Sequence, residues 1–242
     1  MACSLSRSQC KAIMSPLLHA ALPEIHVAKT LPIVVRHGPL QTQGLSIPDL
    51  WTLQGIHKIW AYLRHGDSSS ITGQLLRASY EQATLELGVN HVFTQSYKRF
   101  GRLLTQCHLK SFWAFLDSTA LYMRNRCPTF SPVCEHDFVL MEHFGSTPSL
   151  TVGDLNSINL CRNWLHAIYL SDLVTGDGRS ILLSAWNGTC QIPHNASLGW
   201  PRLTPYPGPH HWHIWRRYGS FANPSAHGVL HRYQATSGSM NP

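Results

Sequence analysis

Apolar side chains recur at spacings of three and four along much of this chain, the period of an amphipathic helix. The clearest stretch covers residues 48–65, where Leu50, Leu53, Ile56, Ile59, Trp60 and Leu63 line one face. Pro48 suits a first helical position, and His65-Gly66-Asp67-Ser68 stops the run. A second helix is expected over 70–88, capped by Ser70 or Thr72, with Ile71, Leu75, Ser79, Ala83 and Leu87 every four residues and Gly88 at its end. A third, over 94–118, carries Tyr97, Phe100, Leu104 and Cys107 on one side. Its face shifts near His108, so the stretch reads as two helices or one bent helix.

The flanking regions are less regular. Residues 1–30 read as a broken helix capped by Ser6 or Ser8, with Ile13, Leu17 and Leu18 apolar. Pro23 and Pro32 end that pattern, and Ile33-Val34-Val35 reads as a short strand between turns. Residues 125–133 look like a linker, followed by a short helix over about 133–144 that Gly145-Ser146-Thr147-Pro148 breaks. Asp154 is placed to cap a helix over 155–170, whose buried stripe would be Leu155, Ile158, Cys161, Leu165 and Ile168. A turn at Thr175-Gly176-Asp177-Gly178 leads to a short strand over Arg179–Leu183. Five prolines between Pro193 and Pro209 argue against a regular element there, and the Gly, Ser, Asn and His-rich tail from about 219 has the composition of a disordered segment.

The fold class expected is mainly α: an irregular helical domain with one or two short β-strands and disordered termini. The divisions expected are 1–124, a helical region; 125–190, a smaller helical region with a short strand; and 191–242, a proline-rich and disordered tail. A chain of 242 residues is long enough to bury a core.

Charge changes this picture. Only 13% of residues are charged, about half the usual share. Such a surface predicts modest solubility, or a face that a partner covers. The balance is +7 with neutral histidine, which favours polyanions. The candidate contacts to an RNA or DNA backbone are Lys98, Arg99 and Arg102 beside Tyr97 and Phe100, and Arg216 and Arg217 beside Trp215 and Tyr218. Aromatics between basic residues can stack bases, although at helical spacing they more often belong to the core. No run of 18 apolar residues exists and no signal-peptide core follows the N-terminus, so an intracellular, soluble protein is expected, with no membrane partner. The seven cysteines lack a Cys-x-x-Cys pair and are expected to be reduced, several of them buried.

The 12 acidic residues test the enzymatic readings. Two-metal nucleotidyl transfer needs two or three carboxylates at one site. The sequence has no Asp-Asp pair, and Glu135, Asp137 and Glu142 read as a solvated helix face. Asp172 and Asp177 read as cap and turn residues. His211 and His213 would share one side of an extended chain, but no Cys or carboxylate nearby completes a metal site. No Gly-x-Ser-x-Gly elbow or phosphate-binding loop occurs. No catalytic residue, metal or cofactor is expected.

Several ordered blocks carry a resemblance. Gln9–Pro23 is followed by Arg36-His37-Gly38-Pro39-Leu40, Gly44-Leu45-Ser46-Ile47-Pro48-Asp49-Leu50 and Leu63-Arg64-His65-Gly66. Then come Thr72–Ala78, Leu85-Glu86-Leu87-Gly88, Asn159-Leu160-Cys161-Arg162, Leu170–Gly178 and Ala185-Trp186-Asn187-Gly188. Over about residues 5–218 this order resembles the segment downstream of the polymerase palm in non-LTR-type retroelement reverse transcriptases of eukaryotic microbes. The resemblance implies a non-catalytic fragment of such a protein, with 1–124 as a thumb-like or connection region, which would brace a separate polymerase domain or touch template and primer backbone. The family's Asp-Asp motif has no match, so no active-site residue carries over. Gln41-Thr42-Gln43-Gly44-Leu45 stands where a Tyr-Gly-Gly-Leu turn is expected, a departure that fits a degenerating copy or a truncated reading frame. The alternative is a small structural or protein-interaction domain, whose sign would be an exposed apolar face without a basic rim.

Overall fold

Helices dominate the computed structural model, which describes residues 4–123, 137–175, 180–189 and 205–219. Among the described residues there are ten α-helices: α1 (Arg7–Glu24), α2 (Ile33–His37), α3 (Leu50–His65), α4 (Ile71–Leu87), α5 (Tyr97–Phe100), α6 (His108–Ser118), α7 (Leu140–Ser146), α8 (Val152–Leu165), α9 (Leu183–Asn187) and α10 (Pro209–Gly219). The β structure among them is two isolated antiparallel bridges, Val139 with Tyr169 and Val174 with Ile181. None of these helices is long and apolar enough to cross a membrane. The chain forms two compact units, one of residues 1–77 and 106–120, the other of 78–105 and 121–242.

In the first unit, the Ser6 side chain caps α1 and Gln9 reaches back to the Ser6 amide. Asp49 caps α3 by accepting from the Thr52 amide at 2.9 Å. α3 packs against α1 and α6. Gly55 makes the approach to α6 possible, because a Cβ there would lie 2.2 Å from the Phe115 ring. Trp51 meets Phe115 edge-on at 5.8 Å, and Tyr62 lies against Phe112 at 5.6 Å. Lys58 points into this interface, only 8% exposed, and donates to Ser4 Oγ and, at 3.0 Å, to Ser111 Oγ. Burial lowers its pKa from the ordinary lysine value.

The core of the second unit is built around α8, which packs against α5, α7 and α10. Leu155, Ile158, Cys161 and Leu165 are fully buried along it, as the spacing predicts. Arg162 is also fully buried. Its guanidinium donates to the carbonyls of Leu85 and Glu86 at 2.8 and 2.9 Å, to Ala167 O at 3.1 Å, and to the side-chain oxygens of Asn159 and Asn163. Leu85 and Glu86 lie in the last turn of α4, so this arginine caps carbonyls that lack a helical partner. Gly88 follows at φ +65°, and a Cβ there would lie 2.7 Å from the guanidinium.

Several expectations are corrected. Ile33-Val34-Val35 is the start of α2, because Pro32 ends an extended stretch and its carbonyl accepts from Val35 and Arg36. Pro48 lies outside α3, whose cap is Asp49. α8 starts three residues earlier than predicted, with Thr151 as its cap and Asp154 completing the capping box from inside the helix. Of the two readings of 94–118 the first holds: it is two helices, α5 and α6, joined by an irregular passage. α10 forms where the prolines argued against any element, since Pro209 occupies a first helical position, where its missing N–H is harmless. The predicted linker over 125–133, the tail after 219 and the boundaries at 124/125 and 190/191 lie outside the described residues.

Candidate nucleic-acid interface

The five basic residues singled out from sequence all fall in the second unit, on α5, just after it, and on α10. α5 is a single turn of helix, and its Phe100 is buried beneath Gly145, where a Cβ would lie 2.3 Å from the ring. That anchor leaves Lys98 exposed on the same turn and Arg102 exposed just beyond it. Arg99 turns inward and donates to the carbonyls of Thr147 and Leu150, both at 3.1 Å. It therefore fixes the loop after α7 rather than offering a free charge.

α10 lies along α8. Trp212 and Trp215 are buried, and the Trp215 indole donates to Ala185 O at 3.2 Å. Trp212 packs under Gly188, which sits at φ +66° and has no room for a Cβ, since one would lie 2.2 Å from the ring. Arg216 is half-buried near Cys161, whose thiol burial pushes up to about 12 against the opposing arginine charge. Arg217 is exposed, with its guanidinium 5.5 Å from the centre of the Tyr218 ring.

Both basic clusters border one loop. A cavity of about 250 Å³ is lined by His143, Phe144, Thr147, Ser149, Leu150 and Tyr218. Arg99 holds two of those lining residues by their carbonyls, and Tyr218 lies beside Arg217. Of the aromatics flagged as stacking candidates, Phe100 and Trp215 are core, Tyr97 is half-buried, and Tyr218 reaches the cavity wall. The sequence missed this cavity because its loop residues carry no periodic signal.

The carboxylates and histidines are arranged differently from expectation. Asp137 and Glu142 do not form a solvated face. Asp137 Oδ1 accepts from the amides of Phe138 and Ser171 at 2.9 and 3.1 Å, and Glu142 accepts from the Asn90 amide at 2.8 Å. Burial holds the Asp137 carboxyl above its usual range; bonds from Ser171 and Phe138 oppose that shift, and Asp172 adds to it. Asp172 accepts from the amides of Ile168 and Tyr169, as its reading as a capping residue implies. The buried Tyr169 hydroxyl titrates above its ordinary value, through burial first and then Asp137. Glu135 lies outside the described residues. The pairing of His211 with His213 on an extended chain is corrected: both lie on α10, where positions two apart diverge. His211 Nδ1 is 3.0 Å from Ser157 Oγ, while His213 is exposed. Among the described residues, no group of three His, Cys, Asp or Glu side chains is placed to hold a metal.

Comparison with known proteins finds no matching family model, no matching curated protein and no matching solved structure.

Proposed function

We propose that the chain is a non-catalytic part of a reverse-transcriptase-like retroelement protein whose second unit binds nucleic-acid backbone weakly. The observation that supports this reading is that Arg99 and Tyr218, one from each basic cluster, meet at one loop, while Lys98, Arg102 and Arg217 are exposed. Exposed cations gain affinity for polyphosphate by releasing counterions, and contact no base edge in doing so. Filter binding of a single-stranded oligonucleotide tests the reading. Three phosphate contacts predict a loss of affinity of roughly twenty-fold between 50 and 200 mM salt. Replacing Lys98, Arg102 and Arg217 together by glutamate should remove binding. Absence of binding at low salt, or a triple variant that binds as well as the parent, refutes it.

A protein-interaction role is a second reading, favoured by a separate observation in the first unit. The apolar stripe of α3 points outward, with Leu53 at 40%, Ile56 at 50%, Trp60 at 62% and Leu63 at 69% exposure. Large exposed apolar stripes mark surfaces that partners cover, and this one departs from the rimless face expected of an interaction domain in the basic Arg64 and His57 beside it.

A further inference from the structure

We infer that α3 is a docking face for an amphipathic helix with acidic flanks, carried by another protein. The inference rests on the protein-interaction reading and makes no use of the nucleic-acid one.

The spacing of the exposed stripe carries the argument furthest. Leu53, Ile56, Trp60 and Leu63 are separated by three, four and three residues. That is the a–d–a–d seam of two successive heptads, the pattern by which one helix receives another. Sixteen residues of helix are about 24 Å long, enough to present both heptads. The opposite side of α3 is already used: Gly55 abuts Phe115, Lys58 is bound to Ser4 and Ser111, and Tyr62 packs on Phe112. The helix is therefore held with its apolar seam outward, left exposed among the described residues.

Charge selects the occupant. α3 contains no Asp or Glu. His57 and Arg64 are exposed beside the seam, and the Arg64 guanidinium lies 5.9 Å from the centre of the Trp60 ring. A helix laid on this face buries part of Arg64, which favours a carboxylate opposite it. A second copy of α3 supplies none within the helix, and its capping Asp49 is already held by the Thr52 amide and hydroxyl. Residues 190–242 of this chain also contain no Asp or Glu, so that segment does not supply the acidic flanks. The complementary partner is a helix with apolar a and d positions and Glu or Asp at e and g.

The full chain titrated into fluorescein-labelled designed helical peptides of about three heptads tests this by anisotropy. Both peptides carry Leu at a and d; one has Glu at e and g, the other Lys. The Glu-flanked peptide should bind at least about tenfold more tightly. Trp60→Ala should weaken that binding by about tenfold or more, while Arg64→Glu should reverse the preference, a gain that an unfolded variant cannot produce. Equal or tighter binding of the Lys-flanked peptide overturns the acidic partner but keeps the interaction reading. Binding of neither peptide overturns both. Self-association of the chain that Trp60→Ala abolishes overturns the inference in favour of a second copy.

Discussion

Among the described residues each unit buries one cation, and the two are treated in opposite ways. Arg162 is enclosed by five acceptors, three of them backbone carbonyls. Asp172 and Glu86 also hold its charge in place against the desolvation that lowers its pKa. Lys58 has two serine hydroxyls, one of them on the exposed Ser4, and no carboxylate among the charges that shift it. A planar guanidinium can satisfy several fixed carbonyls at once, whereas an ammonium is a point charge with three movable donors. Arg162 is thus built into the backbone architecture of its unit, and Lys58 is a tolerated guest in its own.

Three measurements test that contrast. The largest effect is expected from Arg162→Met, which leaves the α4 carbonyls and two asparagines without their donor. Urea denaturation should show a loss of about 3–5 kcal/mol in the second unit. Gly88→Ala forces a β-carbon toward the guanidinium at a positive φ and should cost about 1–3 kcal/mol by the same measurement. A loss no larger than an ordinary glycine substitution would mean that Arg162 yields easily. The smallest effect is expected from Lys58→Met, which removes a costly buried charge along with its two hydrogen bonds. It should change stability by no more than about 1 kcal/mol. A loss matching that of Arg162→Met would break the comparison.

Lys58 also gives a pH signature. Its folded-state pKa lies below the unfolded value, so the unfolded chain holds more protons across the interval between them. Stability of the first unit should therefore rise with pH from the lowered value up to the ordinary lysine range. The Cys10 thiol is raised by burial first, and acts in the opposite direction above the ordinary thiol range. The lysine contribution is read as the difference between parent and Lys58→Met, and an unchanged pH profile in the variant would remove it.

The legibility of this chain from sequence follows the same division. The α8 stripe was readable because one side of that helix is apolar and the fold buries that side. The α3 stripe was equally readable as a helix, but periodicity does not say which face turns inward, and here packing through Gly55 and Lys58 reverses the usual choice. α10 was hidden by prolines whose effect depends on position: Pro209 starts a helix that the same residue would break further in. The basic clusters were visible as residue types. Their separation into exposed Lys98, Arg102 and Arg217 and loop-bound Arg99 was not, because it depends on carbonyls of Thr147 and Leu150 far along the chain. The Arg162 network gave no local signal, since its acceptors at Leu85 and Glu86 lie 77 and 76 residues away.

The packing of α10 on α8 also bears on the order of events during synthesis. The first unit uses no residue beyond 120, so all its parts have left the ribosome well before α10 is made. The second unit draws on residues 78–105 early, yet the side of α8 that receives α10 stays uncovered until residue 219 has emerged. Domains tend to form in the order in which their segments appear, and an uncovered apolar surface is open to wrong associations meanwhile. The nascent chain thus passes through an interval with one finished unit and one open core, during which the second unit is the more exposed to chaperones and to aggregation.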